Sequence, residues 1–321
     1  MKILVTGTAG FIGNAVALRL LGEGHTVVGW DNFNDYYTVR LKRNRHARFA
    51  SYRRFRGIED DLCNAARLRR LCLKEGFDAV CHLAAQAGVR YSIDNPFAYQ
   101  HSNLEGFLSV LEACRRARVP RLVYASSSSV YGANTRLPFS EKDRVDHQIS
   151  LYGATKRANE LMAHTYTQLF GMQTIGLRFF TVYGPWGRPD MALWLFTRDL
   201  LAGKPIKVFN NGRMRRDFTY IDDIVQGVTR ALMAPRLGAY ELFNLGNSRT
   251  ENLMDMIRLL AATLGVEPRM DLLPLQPGDV TATFADIALA RRKLGFRPVT
   301  PIRVGIPRFV QWYRDYHKLE E

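Results

Sequence analysis

Tyr152 and Lys156 stand four residues apart in Tyr-Gly-Ala-Thr-Lys, at the head of a run whose pattern predicts a helix through Phe170. On a helix that spacing sends both side chains out from one face. An ammonium held against a phenol favours the phenolate and draws the tyrosine below its ordinary value of about 10, toward proton abstraction near neutrality. Tyr152 is therefore a candidate general base. The same spacing also fits a surface tyrosine and a solvated lysine on an amphipathic helix, so the elements around the pair must decide.

Those elements begin at the amino terminus. The apolar run Lys2 to Thr6 reads as a strand, followed by a turn carrying Gly7, Gly10, Phe11, Ile12 and Gly13, and a helical pattern from Phe11 to Leu21. Glycines at such a turn let a pyrophosphate approach the first N–H groups of the helix, where the helix dipole favours negative charge. The spacing is G-x-x-G-x-x-G, a variant of the usual dinucleotide fingerprint. The next strand, Thr26 to Trp30, ends at Asp31, placed to accept from the adenosine ribose hydroxyls. An aspartate there repels a 2′-phosphate, which favours NAD over NADP.

With Tyr152 and Lys156 downstream of this turn, the chain resembles the extended short-chain dehydrogenase/reductase family, the NAD-dependent epimerases and dehydratases, over nearly its whole length. The resemblance implies adenine contacts at Asp61 and Leu62, with Asn32 beside Asp31, and a cofactor-lining loop at Leu83, Ala84 and Ala85. It also implies a catalytic serine at Ser127, twenty-five positions before Tyr152. Serines 126 to 129 fit equally a polar loop after a strand, but they follow the strand pattern Arg121 to Tyr124, and ligands bind at the carboxyl ends of such strands. In the family, Tyr152 aided by Ser127 takes the proton of a sugar hydroxyl while hydride passes to NAD, and Lys156 holds the nicotinamide ribose. The related 4,6-dehydratases carry an Asp-Glu pair where this chain has Ser128 and Ser129, and the decarboxylases a glutamate at the place of Ser129. What remains nearest are 4-epimerases. The stretch Leu177 to Met191, with Asp31 and Asn32 before Tyr36 and Tyr37, is most similar to those acting on UDP-glucuronate. Galactose-type members have asparagine where Thr181 stands and arginine where Gln276 stands.

Substrate roles follow from the same resemblance. Arg216 is expected on the diphosphate, because an arginine fork suits two adjacent phosphates, although a salt bridge to Asp217 is the alternative. Lys207 to Phe209 is expected near the uracil. Arg90 faces either substrate or a structural partner. A uronate carboxylate entering a partly desolvated pocket needs a compensating donor. Arg188 is the candidate, with the Thr181 hydroxyl as a second donor; the alternative is that Arg188 only ties down its proline- and glycine-rich loop.

Strand-like and helical runs alternate along the chain, as βαβ units require. The expected fold is α/β, a Rossmann-type doubly wound parallel sheet with a smaller, discontinuous α/β substrate domain. The NAD-binding part comprises residues 1–178 plus about 217–247, and the UDP-sugar part 179–216 plus about 248–321. Asn95 is expected to cap a helix opening at Pro96 and reaching about Arg118; in the family this helix and the Tyr152 helix form a homodimer contact. The 321 residues are 47% hydrophobic and 23% charged, with a formal charge of +15 and a basic concentration from Arg40 to Arg56. No nucleic-acid module accompanies those charges, so neither nucleic acid nor membrane is an expected partner. Cys63, Cys72, Cys81 and Cys114 lack the paired spacing of a zinc site or a disulfide framework, so no metal is expected. With strand residues directly after Met1 and no apolar run long enough to span a bilayer, the expectation is a cytoplasmic protein.

Overall fold

The computed structural model describes residues 1–319 except Pro277. Seven strands form one parallel sheet: β1 (Lys2–Thr6), β2 (Thr26–Asp31), β3 (Phe55–Glu59), β4 (Ala79–His82), β5 (Arg121–Ser127), β6 (Gln173–Phe179) and an edge strand, Tyr240–Leu245. The central strands are continuous apolar runs, Ile3, Leu4 and Val5 for example, because helices cover both faces of the sheet and leave no side for water. Across the sheet the order is Tyr240–Leu245, β6, β5, β4, β1, β2, β3. After β3 the chain therefore crosses back over β1 to lay down β4. The strand order reverses there, and a crevice opens beyond the carboxyl ends of β1 and β4.

Local chemistry sets the helices that face this crevice. The helix Phe11–Gly22 starts directly after Gly10 with no side-chain cap, which leaves its first N–H groups free. The helix Leu151–Phe170 is capped by the Ser150 hydroxyl, which accepts from the Gly153 N–H at 3.1 Å, and it ends at left-handed Gly171. It therefore starts one residue ahead of Tyr152 and keeps Tyr152 and Lys156 on consecutive turns. The expected Asn95 cap does not form: its side chain makes no capping bond, and proline at the first helical position leaves one fewer N–H to satisfy. Nor is that helix uniform, since a π-turn over Gln100–Glu105 separates Pro96–Tyr99 from Gly106–Ala117.

Two further features position the site. Thr181–Tyr183 pairs in parallel with Phe218–Tyr220 ahead of the loop that carries Arg188. The basic concentration that begins at Arg40 is not all at the surface. Within the helix Val39–Ala47, Arg45 is fully buried, donating to the carbonyls of Trp186 (2.7 Å), Gly187 (2.8 Å) and Ala9 (3.1 Å), while buried Lys42 donates to the Asn34 carbonyl at 2.6 Å. Arg45 thus ties the glycine turn to the loop that carries Arg188.

The carboxyl-terminal pieces converge beside the crevice. Ile206–Phe209 pairs in parallel with Met270–Leu273, and Arg215–Arg216 pairs antiparallel with Glu251–Asn252. The helices Leu253–Leu264 and Ile302–His317 pack behind them, and one continuous apolar cluster joins Val5, Val123 and Ile175 of the sheet to Ile206, Met256 and Phe309. Gln276 and Asp279 lie on the stretch after Met270–Leu273, within which Pro277 is outside the described residues.

Candidate active site

Two cavities occupy the crevice and meet at Ser127, Tyr152 and Arg188, which line both. The first runs over the glycine turn. Gly7 has φ +78°, and a Cβ on Gly13 would sit 2.1 Å from the Gly7 carbonyl oxygen, so the turn closes only with glycine at these places. Gly10, Phe11 and Ile12 line the same cavity, as do Leu62, Leu83, Ala84 and Ala85. Asp31, at the tip of β2, accepts from the Ala9 and Phe33 amides, both at 2.9 Å. Burial pushes its carboxyl above the usual range, and those two amide bonds oppose the shift. Asn32 donates to Asp61 at 2.8 Å, so the two acidic residues are linked along one wall. The loop after β4 is set by Thr6, whose hydroxyl meets His82 Nδ1 at 2.8 Å and accepts from the Leu83 and Ala84 amides at 3.2 Å. Burial and then the nearby Lys156 charge push His82 down to about 3, so it stays neutral.

At the junction of the cavities the electrostatics differ from the expectation. Burial raises the Tyr152 phenol; the opposing pulls come first from the Ser127 hydroxyl and then from the Arg188 charge. The expected pull of Lys156 is not among them. The Lys156 ammonium is buried and donates to the Ala125 carbonyl at 3.0 Å, and burial pushes its own value down to about 8. Behind this pair the helix is locked. Arg178 forks onto Glu160 at 2.8 and 2.9 Å, and Ser126 donates to the same carboxylate at 2.7 Å. Asn103 donates to Thr155 at 3.0 Å. Tyr152 and Ser127 are held by neighbours bonded to one another, the support a reacting pair needs.

The second cavity, of about 880 Å³, is lined by Ser128, Ser129, Thr181, Lys207, Phe209, Gln276, Arg90 and Arg216. Arg90 lies over the Phe209 ring, 4.6 Å from its centroid, and reaches Asp279 at 3.4 Å. The alternative of an Arg216–Asp217 salt bridge fails. Asp217 is fully buried and accepts from the Asn247 amide at 2.6 Å and from the Ala285 amide and the Thr219 hydroxyl at 3.1 Å, whereas Arg216 donates only to the Arg215 carbonyl at 3.1 Å among the described residues. Burial pushes the Arg216 guanidinium below its usual value. An anion beside it would offset that cost.

Arg188 is paired. Its Nε and one terminal nitrogen fork onto Asp190 at 3.0 and 2.5 Å, and Tyr36 donates to the same carboxylate at 2.9 Å. The other terminal nitrogen makes no bond among the described residues. Asp190, Tyr36 and Asp279 were not singled out as site residues from the sequence. Tyr36 lies 154 positions from Asp190, and no local pattern signals such a contact.

Residues 3–246 match the model of the NAD dependent epimerase/dehydratase family. The chain is 48% identical to UDP-glucuronate 4-epimerase 3 of Arabidopsis thaliana over 98% of this chain and 77% of that one. It is 46% identical to Protein CapI of Staphylococcus aureus over 99% of this chain and 100% of that one. The crystal structure of UDP-glucuronic acid 4-epimerase from Bacillus cereus with UDP-glucuronic acid and NAD superposes with a TM-score of 0.93 at 34% identity, covering 98% of this chain and 100% of the other.

Proposed function

The chain belongs to the NAD dependent epimerase/dehydratase family, and from that premise we propose that it is an isomerase interconverting UDP-glucuronate and UDP-galacturonate at C4 through a 4-keto sugar. The observation that carries this reading is the meeting of the two cavities at Ser127, Tyr152 and Arg188. The first cavity would hold NAD, which would supply the hydride acceptor and donor for C4. The glycine turn and the open helix start at Phe11 receive its pyrophosphate; Asp31 receives the ribose hydroxyls, and Asp61, Leu62 and the loop Leu83 to Ala85 flank the adenine and nicotinamide ends. Lys156 holds the nicotinamide ribose and supplies positive charge next to it.

In the second cavity Tyr152 takes the proton of the C4 hydroxyl and Ser127 bonds the same oxygen, so the charge that develops there meets a fixed donor. Arg216 neutralises the diphosphate, with Arg90 and Phe209 beside the uracil end. Ser128, Ser129 and Thr181 bond the sugar. The free nitrogen of Arg188 holds the C5 carboxylate. That grip opposes loss of carbon dioxide from the ketone, because the charge must leave the carboxylate for the bond to break. Residues 1–178 with about 217–247 form the NAD-binding part, and the remaining pieces the UDP-sugar part.

Cofactor choice provides one test. Asp31 repels a 2′-phosphate, so NAD⁺ is expected to bind far more tightly than NADP⁺, with the gap narrowing in Asp31→Ser; fluorescence titration of both cofactors measures it. Equal affinities in the unmodified protein would remove Asp31 from the adenosine site.

The same proposal includes a homodimer. Phe97 (80% exposed) and Leu161 (54% exposed) stand on the two helices expected at the contact, and a second copy would bury both. Analytical ultracentrifugation of Phe97→Glu/Leu161→Glu is expected to give a monomer where the unmodified protein gives a dimer. Two dimers, or two monomers, would place the contact elsewhere or nowhere. A reducing, cytoplasmic setting is also part of the proposal. It is supported by four unpaired cysteines, and no helix among the described residues is long and apolar enough to cross a membrane.

A further inference from the structure

Three side chains of metal-ligand chemistry converge at the outer rim of the first cavity, away from Tyr152. Asp61 and Cys63 lie on the turn after β3, and His101 lies on the π-turn Gln100–Glu105. A donor atom from each lies within 4.8 Å of the others. His101 presents Nε2 to Asp61 Oδ1 at 3.3 Å, while its Nδ1 faces Glu105 Oε2 at 3.4 Å. Bond lengths of about 2.0 to 2.3 Å make the edges of a tetrahedral zinc site roughly 3.3 to 3.6 Å. The Asp61–His101 edge already has that length, and the sulfur needs only a small side-chain movement.

We propose that Asp61, Cys63 and His101 form a zinc-binding site, with Glu105 orienting the imidazole through Nδ1. A thiolate, an imidazole and one carboxylate select zinc over magnesium or calcium, which take oxygen donors. A carboxylate on the far nitrogen is the usual partner of a zinc-bound histidine. The Cys63 thiol now donates to the His101 carbonyl at 3.3 Å. Zinc replaces that proton, and the proton passes to solvent. Asp61 keeps its other oxygen on Asn32. None of the three ligands is buried, so the ion can enter from solvent and a water completes the fourth position. His101 lies 38 positions beyond Cys63, so no local spacing signals the site and the three converge only in the fold. The site shares Asp61 with the adenine end of the first cavity but takes no part in the chemistry proposed at Tyr152.

Cobalt(II), a spectroscopic stand-in for zinc, tests it in the purified protein. Cys63 is the one cysteine that is not buried, so a thiolate-to-cobalt charge-transfer band in the near ultraviolet reports on it alone. The band is expected to saturate at one equivalent, to be displaced by zinc, to vanish in Cys63→Ser and to need at least tenfold more cobalt in His101→Gln. In the unmodified protein, zinc is also expected to slow alkylation of Cys63 at least tenfold, a readout that needs no variant. No charge-transfer band in the unmodified protein, a band undiminished in Cys63→Ser, or alkylation unaffected by zinc overturns the proposal.

Discussion

Replacing Tyr152 by phenylalanine is expected to lower turnover by about two orders of magnitude or more, roughly 3 kcal/mol of barrier, while NAD binding stays nearly unchanged. The variant keeps the ring and removes only the oxygen that titrates. Burial holds the phenol above its ordinary value in the free enzyme, and Ser127 and Arg188 are the groups that oppose the shift. Both line the two cavities where they meet, so the opposing pulls on the phenol come from the junction itself. Ser127→Ala removes a donor to the reacting oxygen but leaves the base, and a smaller loss is expected. Turnover by coupled assay and cofactor affinity by fluorescence titration, compared across the two variants, check both statements. Near-normal turnover in Tyr152→Phe would remove Tyr152 from the mechanism, and a larger loss in Ser127→Ala would reverse the two roles.

The second large effect concerns specificity. Arg188→Ala is expected to lose activity on UDP-glucuronate by a few kcal/mol of transition-state binding, the scale of a charged hydrogen bond, and to change activity on UDP-glucose much less. The Asp190 fork and the Tyr36 hydroxyl fix the guanidinium and leave one nitrogen without a bond among the described residues. Removing the guanidinium also frees the ketone to decarboxylate, so a pentose product is expected in the variant. Separating epimer from pentose chromatographically on both substrates measures the two effects. Equal losses on both sugars would reduce Arg188 to a loop anchor, and a preference of the unmodified protein for UDP-glucose would overturn the uronate assignment.

The sheet and the cofactor cradle were legible because their signals are local. The glycine turn, Asp31 closing β2, the serines closing β5 and the Tyr152–Lys156 spacing each need only neighbours in the chain. What escaped was set by partners far away. Arg45 reads as one of a run of surface charges, yet it is buried against the carbonyls of Trp186 and Gly187. Arg178 on β6 anchors the Tyr152 helix through that helix's own Glu160, and Tyr36 reaches Asp190 across the cleft. Helix spacing placed Lys156 on the correct face but not its partner, because a buried ammonium turns to the nearest carbonyl, here that of Ala125. Asp61, Cys63 and His101 likewise come together only in three dimensions.

The central claim is that hydride leaves C4 of a UDP-uronate and returns to the same carbon within one enzyme-bound cycle. UDP-glucuronate carrying deuterium at C4, incubated with the protein and NAD⁺, tests it directly by nuclear magnetic resonance of the product with absorbance followed at the NADH band. The account predicts UDP-galacturonate that keeps its deuterium at C4 and no net accumulation of NADH. Deuterium washed out of the product, NADH rising in step with sugar consumed, or no galacturonate formed would contradict it.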